Sequence, residues 1–181
     1  MLVAMPMKKK ILLILSIITW TTTQACICFS SDGNFLKTSK QVDLVAIVHV
    51  KDYQDYLEFN ATRNQPLSAM FEIVKVLKGK EDRKEIKVFG DDGSLCRPYI
   101  TNFKKGEYYV IALRKCNERK RSNSITETAD DFFIPGCGEF WVQYNLEDNN
   151  VVGLINRKRK STTMTLQKPE SLIKGSSRHS P

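Results

Sequence analysis

The chain has 181 residues, a formal net charge of +8 and five cysteines. That length holds one domain with a real core and not comfortably two. No phosphate-cradling or dinucleotide-binding glycine pattern occurs, and the single close cysteine pair is spaced C-x-C, with no second pair or histidine to complete a tetrahedron. Nucleotide-dependent chemistry and a zinc site built by the cysteines themselves are therefore set aside.

At the N-terminus Lys8-Lys9-Lys10 precedes the apolar run Ile11 to Ile18, and Thr23-Gln24-Ala25 puts a small residue directly before Cys26. That order predicts a signal peptide over residues 1–25, because the apolar run is about half of the ~20 residues a membrane-spanning helix needs. The expected location is secreted or periplasmic. Cleavage would leave Cys26 with a free α-amino group, two residues from Cys28, and a mature charge of about +5. The other reading of this terminus is a lipoprotein with Cys26 acylated, although Thr-Gln-Ala lacks the usual large aliphatic residue three positions before the cysteine. Export makes disulfides the default use of Cys26, Cys28, Cys96, Cys116 and Cys137, with two bridges and one cysteine left over.

Ser30 to Gln41 is polar and can hold a short helix. Asp43 to Val50 is β-branched and reads as a buried strand. Tyr53 to Pro66 reads as a long loop carrying the sequon Asn60-Ala61-Thr62. Ala69 to Leu77 alternates as a strand ending at Lys78-Gly79. Glu85 to Phe89 and Glu107 to Leu113 are further strands, separated by turn signals at Gly90 to Gly93 and Lys104 to Gly106. Phe132 to Ile134 and Glu139 to Tyr144 read as strands, and a turn at Glu147 to Asn150 leads into a hairpin partner at Val151 to Ile155. Short strands punctuated by turns, with one or two short helices at most, predict an all-β sandwich or small barrel. The one domain is expected over 26–156. Residues 157–181 are basic and Ser/Thr-rich and read as a flexible tail. The runs Arg119-Lys120-Arg121 and Arg157-Lys158-Arg159-Lys160 read as solvated and are not interleaved with aromatics, which argues against nucleic acid as a partner.

The order of several short motifs resembles the netrin-like domain family, and within it the N-terminal domain of the tissue inhibitors of metalloproteinases. Cys26-Ile27-Cys28 resembles the family's C-x-C start, Asp43-Leu44-Val45 its first strand, and Phe71-Glu72-Ile73 through Leu77-Lys78-Gly79 its second. Ser94-Leu95-Cys96 is similar to the loop beside the C-x-C, and Glu107 to Ala112 to the strand that follows. The similarity covers roughly Cys26 to Trp141. The chain departs from the family in having Phe29-Ser30-Ser31 where Pro-Pro follows the C-x-C and in lacking the cysteine-rich C-terminal domain of the animal inhibitors; with few cysteines and such a signal peptide it looks like a bacterial relative. The resemblance implies a five-stranded OB-fold barrel with a disulfide-tethered N-terminus, here followed by an additional C-terminal hairpin. It pairs Cys26 with Cys96 and Cys28 with Cys137 and leaves Cys116 unpaired.

The function so implied is inhibition of a zinc metalloprotease. The α-amino nitrogen and carbonyl oxygen of Cys26 would displace the zinc-bound water, whose pKa the metal lowers to about 7. Ile27 would enter the specificity pocket, where the animal inhibitors carry a smaller, polar residue; Ser94 and Leu95 would form a second contact ridge. The domain would need no cofactor and no metal of its own. The competing expectation is a non-inhibitory module that binds an extracellular protein or glycan through the barrel face or basic loops. No catalytic constellation is evident: His49 falls in a strand, His179 in the tail, and Asp91-Asp92 and Asp130-Asp131 read as turn formers.

Overall fold

The computed structural model describes residues 33–60, 63–117, 119–120, 125–156, 161–167 and 173. The expected signal peptide, the C-x-C and most of the basic tail lie outside these residues. Helix α1 is one turn, Phe35–Thr38. Asn34 caps it, its side-chain oxygen accepting from Lys37 N at 3.1 Å, which satisfies a donor the short helix cannot satisfy itself. A 3-10 turn, Ser39–Gln41, continues it. The Lys78 ammonium closes this end, donating to the carbonyls of Ser39, Lys40 and Val42 at 3.0, 2.9 and 2.9 Å.

The strands in chain order are β1 Leu44–Asn60, β2 Arg63–Lys78, β3 Glu85–Phe89, β4 Tyr108–Lys115, β5 Arg119–Lys120, β6 Thr126–Glu127, β7 Phe132–Phe133, β8 Trp141–Asn145, β9 Asn150–Gly153 and β10 Thr162–Thr165. The order β1-β2-β3-β7-β4 returns to β1 through the β1–β4 pairing, so these five strands close into a barrel. The β3–β7 pair is parallel and the others antiparallel, a mixed barrel consistent with an OB-like fold. Beyond β4 the sheet extends through β8, β9 and β10. Strands β5 and β6 form a separate small ribbon.

The expected strands at Glu85 to Phe89, Glu107 to Leu113 and Glu139 to Tyr144 appear within a residue or two, as does the C-terminal hairpin. Two expectations need correction. The segment Tyr53 to Pro66 is not a loop: β1 and β2 pair along it, from Tyr53↔Ala69 through Tyr56↔Pro66 to Asn60↔Arg63. The hairpin is not the end of the sheet either, because β10 pairs with β9 and both Leu166 and Ile173 are buried in the core. Threonine-rich strands carry β propensity through their branched side chains while looking polar in composition.

Phe103, in the connection between β3 and β4, sits at the centre of the barrel core. Its ring centroid lies 5.8 Å from Phe71, 5.3 Å from Tyr109 and 5.1 Å from Trp141. At the end of β2, Gly79 has φ +87°, and a Cβ there would stand 2.2 Å from the Asp43 carbonyl oxygen. Only glycine fits where the turn crosses the start of β1.

The β2–β3 turn is tied down by Arg83, whose Nε and Nη2 hold the two carboxylate oxygens of Glu81 at 2.8 Å each. The same Nη2 reaches the Asp130 carbonyl at 2.7 Å. Hydrogen bonds from Arg83 hold the Glu81 pKa down to about 2, from an ordinary 4.5. A depressed carboxylate pKa stabilises the fold fully above the unfolded value and loses that contribution as pH falls through the folded one. Arg83 is partly exposed, so solvent screens the effect. Glu81→Gln should therefore flatten the acid limb of the stability curve between pH 4.5 and 2. Urea unfolding across that range, with wild type and variant falling in parallel, would remove Glu81 as a contributor.

Candidate functional site

The site begins where β3 ends. Gly90 N donates to Leu67 O at 2.8 Å, and Asp91 N donates to Pro98 O at 3.0 Å, which closes the intervening residues into a loop. Inside it the two aspartates act as turn formers, because a short carboxylate accepts from backbone a few residues on. Asp91 Oδ1 accepts from Leu95 N at 2.9 Å. Asp92 Oδ1 accepts from Ser94 N at 2.9 Å and from Ser94 Oγ at 2.7 Å. Ser94 is exposed and Leu95 half-buried at the tip of this ridge. Gln65 Nε2 donates to the Asp91 carbonyl at 3.3 Å and ties the ridge to β2.

Cys96 and Cys137 are both disulfide-bonded and both adopt left-handed backbone, with φ of 56° and 60°. L-residues take that conformation at a cost, so surrounding contacts must hold it. The two loops touch: a Cβ on Gly136 would stand 1.8 Å from the Cys96 carbonyl oxygen, an approach only glycine permits. Gly33, the first described residue, accepts from Glu139 N at 2.8 Å. Thr38 Oγ1 donates to the Glu139 carbonyl and fastens α1 to the same segment. The ridge, the 136–139 segment and the beginning of the described chain thus converge at one end of the barrel. Cys26, Ile27 and Cys28 lie outside the described residues, as do the bridges expected from them to Cys96 and Cys137.

Beneath the ridge lies a cluster that no local spacing in the sequence joins. Arg97 directly follows Cys96, and its guanidinium pairs with Glu127 of β6 at 2.6 Å (Nη1–Oε1) and 3.3 Å (Nη2–Oε2). The Arg97 side chain is 10% exposed and that of Glu127 1%. The guanidinium also covers the Phe133 ring, 4.0 Å from its centroid. Cys116 is a free, buried thiol beside them. Burial first, and then the Glu127 charge, push its pKa up to about 12, so it stays protonated.

The remaining candidate residues have structural partners. His49 Nδ1 lies 3.3 Å from Glu72 Oε2, and its ring stacks on Tyr108 at 4.5 Å and 16°. Asp131 Oδ2 accepts from Thr128 N and Oγ1 at 2.8 and 2.9 Å, closing the turn before β7. Among the described residues no group of three or more His, Cys, Asp and Glu side chains is placed to hold a metal. Of the basic runs, Arg119–Lys120 form β5; Arg121, residues 157–160 and His179 lie outside the described residues. Scanned against protein-family models and searched against curated proteins, the chain matches none.

Proposed function

We propose that this chain is an exported, netrin-like inhibitor of zinc metalloproteases, acting in a secreted or periplasmic setting through the amine and carbonyl of Cys26. The observation that carries the reading is the convergence of two disulfide-bonded cysteines, Cys96 and Cys137, with the start of the described chain at Gly33. In the sequence the C-x-C precedes Gly33 by a few residues, and Gly33 is held by Glu139 in the segment that carries Cys137. The Ser94–Leu95 ridge, exposed at Ser94 and held by two aspartates, leads directly into Cys96.

The chemistry favours a preorganised end. An α-amino group titrates near about 7.7–8.0, so neutral amine is available for zinc at little cost. A bidentate chelate on a flexible terminus loses affinity to ordering, which a doubly stapled terminus avoids. Ile27 would add roughly 1.5–3 kcal/mol from burial in a pocket that fits it. The sulfurs serve only to hold the backbone.

The deciding experiment compares protein that begins at Cys26 with the same protein carrying one extra alanine before it, against a panel of zinc metalloproteases. Inhibition by the native end and its loss in the extended form is the expected result. Equal inhibition by both forms, or by neither, sinks chelation by Cys26. It would then favour a non-inhibitory module that uses the stapled ridge or the barrel face to bind an extracellular protein or glycan.

A further inference from the structure

Cys96 sits between two fixed points. On one side Leu95 N is held by the Asp91 carboxylate at 2.9 Å, and on the other Arg97 is held by Glu127 at 2.6 Å and by the Phe133 ring. Between them the Cys96 backbone keeps a left-handed φ of 56° that it would not choose unaided. The pair is nearly dry, and a buried ion pair adds little stability over a well-packed apolar pair of similar volume. What it adds is geometry. A guanidinium fork matched to one carboxylate and stacked on one ring has a single arrangement, whereas an apolar pair in the same space has several.

We infer that Arg97 and Glu127 are positioning residues, which fix the height and orientation of the Ser94–Leu95–Cys96 ridge rather than the stability of the fold. For inhibition this rests on the proposed function; for ridge geometry it does not.

The test is the double replacement Arg97→Met with Glu127→Leu in the processed protein beginning at Cys26. Its melting temperature should equal or exceed wild type. Amide exchange at Leu95 and Cys96 should accelerate by on the order of tenfold or more as local opening becomes easier. Inhibition of a susceptible metalloprotease should weaken by about tenfold to a hundredfold, the loss expected for a contact group misplaced by an ångström or so. Unchanged exchange at both amides overturns the inference, as does faster exchange with undiminished inhibition. If wild type inhibits nothing while exchange still accelerates, the positioning role stands and the inhibitor reading fails. Should the double variant not fold, Arg97→Lys keeps the charge but loses the fork and the stacking, and it must show the same acceleration.

Discussion

Glu127→Leu alone should destabilise the protein by about 3–5 kcal/mol, because it leaves a buried guanidinium without its counter-charge. Arg97 has nowhere to take that charge. Its side chain is 10% exposed, Phe133 covers one face, and the neighbouring Cys116 thiol is held protonated and offers no negative charge. The Arg97→Met, Glu127→Leu pair should recover most of the loss, since two apolar groups leave nothing uncompensated. A double-mutant cycle in urea reads both numbers. A loss below about 1 kcal/mol for Glu127→Leu would mean that water reaches the guanidinium and that the pair is not buried in solution.

Phe103→Ala is the second large expected effect, again about 3–5 kcal/mol. The ring is fully buried and touches Phe71 of β2, Tyr109 of β4 and Trp141 of β8, so three strands lose a common partner at once. Collapse into the cavity is restricted because Tyr53 Oη donates to the Phe103 carbonyl at 2.8 Å and Phe103 N bonds to Ile100 O at 3.1 Å. The backbone stays where it is while the ring is gone. Equilibrium unfolding with a loss near 1 kcal/mol would show that the core relaxes around the missing ring more freely than these bonds suggest.

The barrel was legible where one face of a strand is buried and its ends are marked. Glu85 to Phe89 alternates between turn signals and is β3; Glu107 to Leu113 is apolar, follows Gly106 and lies in β4, give or take its ends. Asp91 and Asp92 were readable as turn formers because their action is local, two and four residues along the chain. The Arg97–Glu127 pair was not readable. Its partners are thirty residues apart, and a two-residue strand such as β6 has no periodicity to find. Thr162 to Thr165 was missed because composition reports polarity, whereas membership in a sheet depends on an edge being free to accept another strand.

Tyr53 to Pro66, the longest stretch where a loop is expected and a paired strand arm is found, bears on how free strand edges are protected. Past His49, β1 leaves β4; before Ser68, β2 has not yet met β3. The arm they form therefore presents both outer edges unpaired within the described sheet, and such edges invite another chain to add a strand. The residues that made this stretch look like a loop are suited to prevent that. Asp55 takes a left-handed φ of 53°, register shifts interrupt the ladder between Val50 and Asp52 and again near Asn60, and Pro66 offers no amide. Asp52 and Asp55 keep charge along the edge, each answered by a lysine of the same molecule, Lys105 and Lys87. The irregularity that breaks the period-two pattern of the arm is of the kind that disfavours addition of another strand to a free edge.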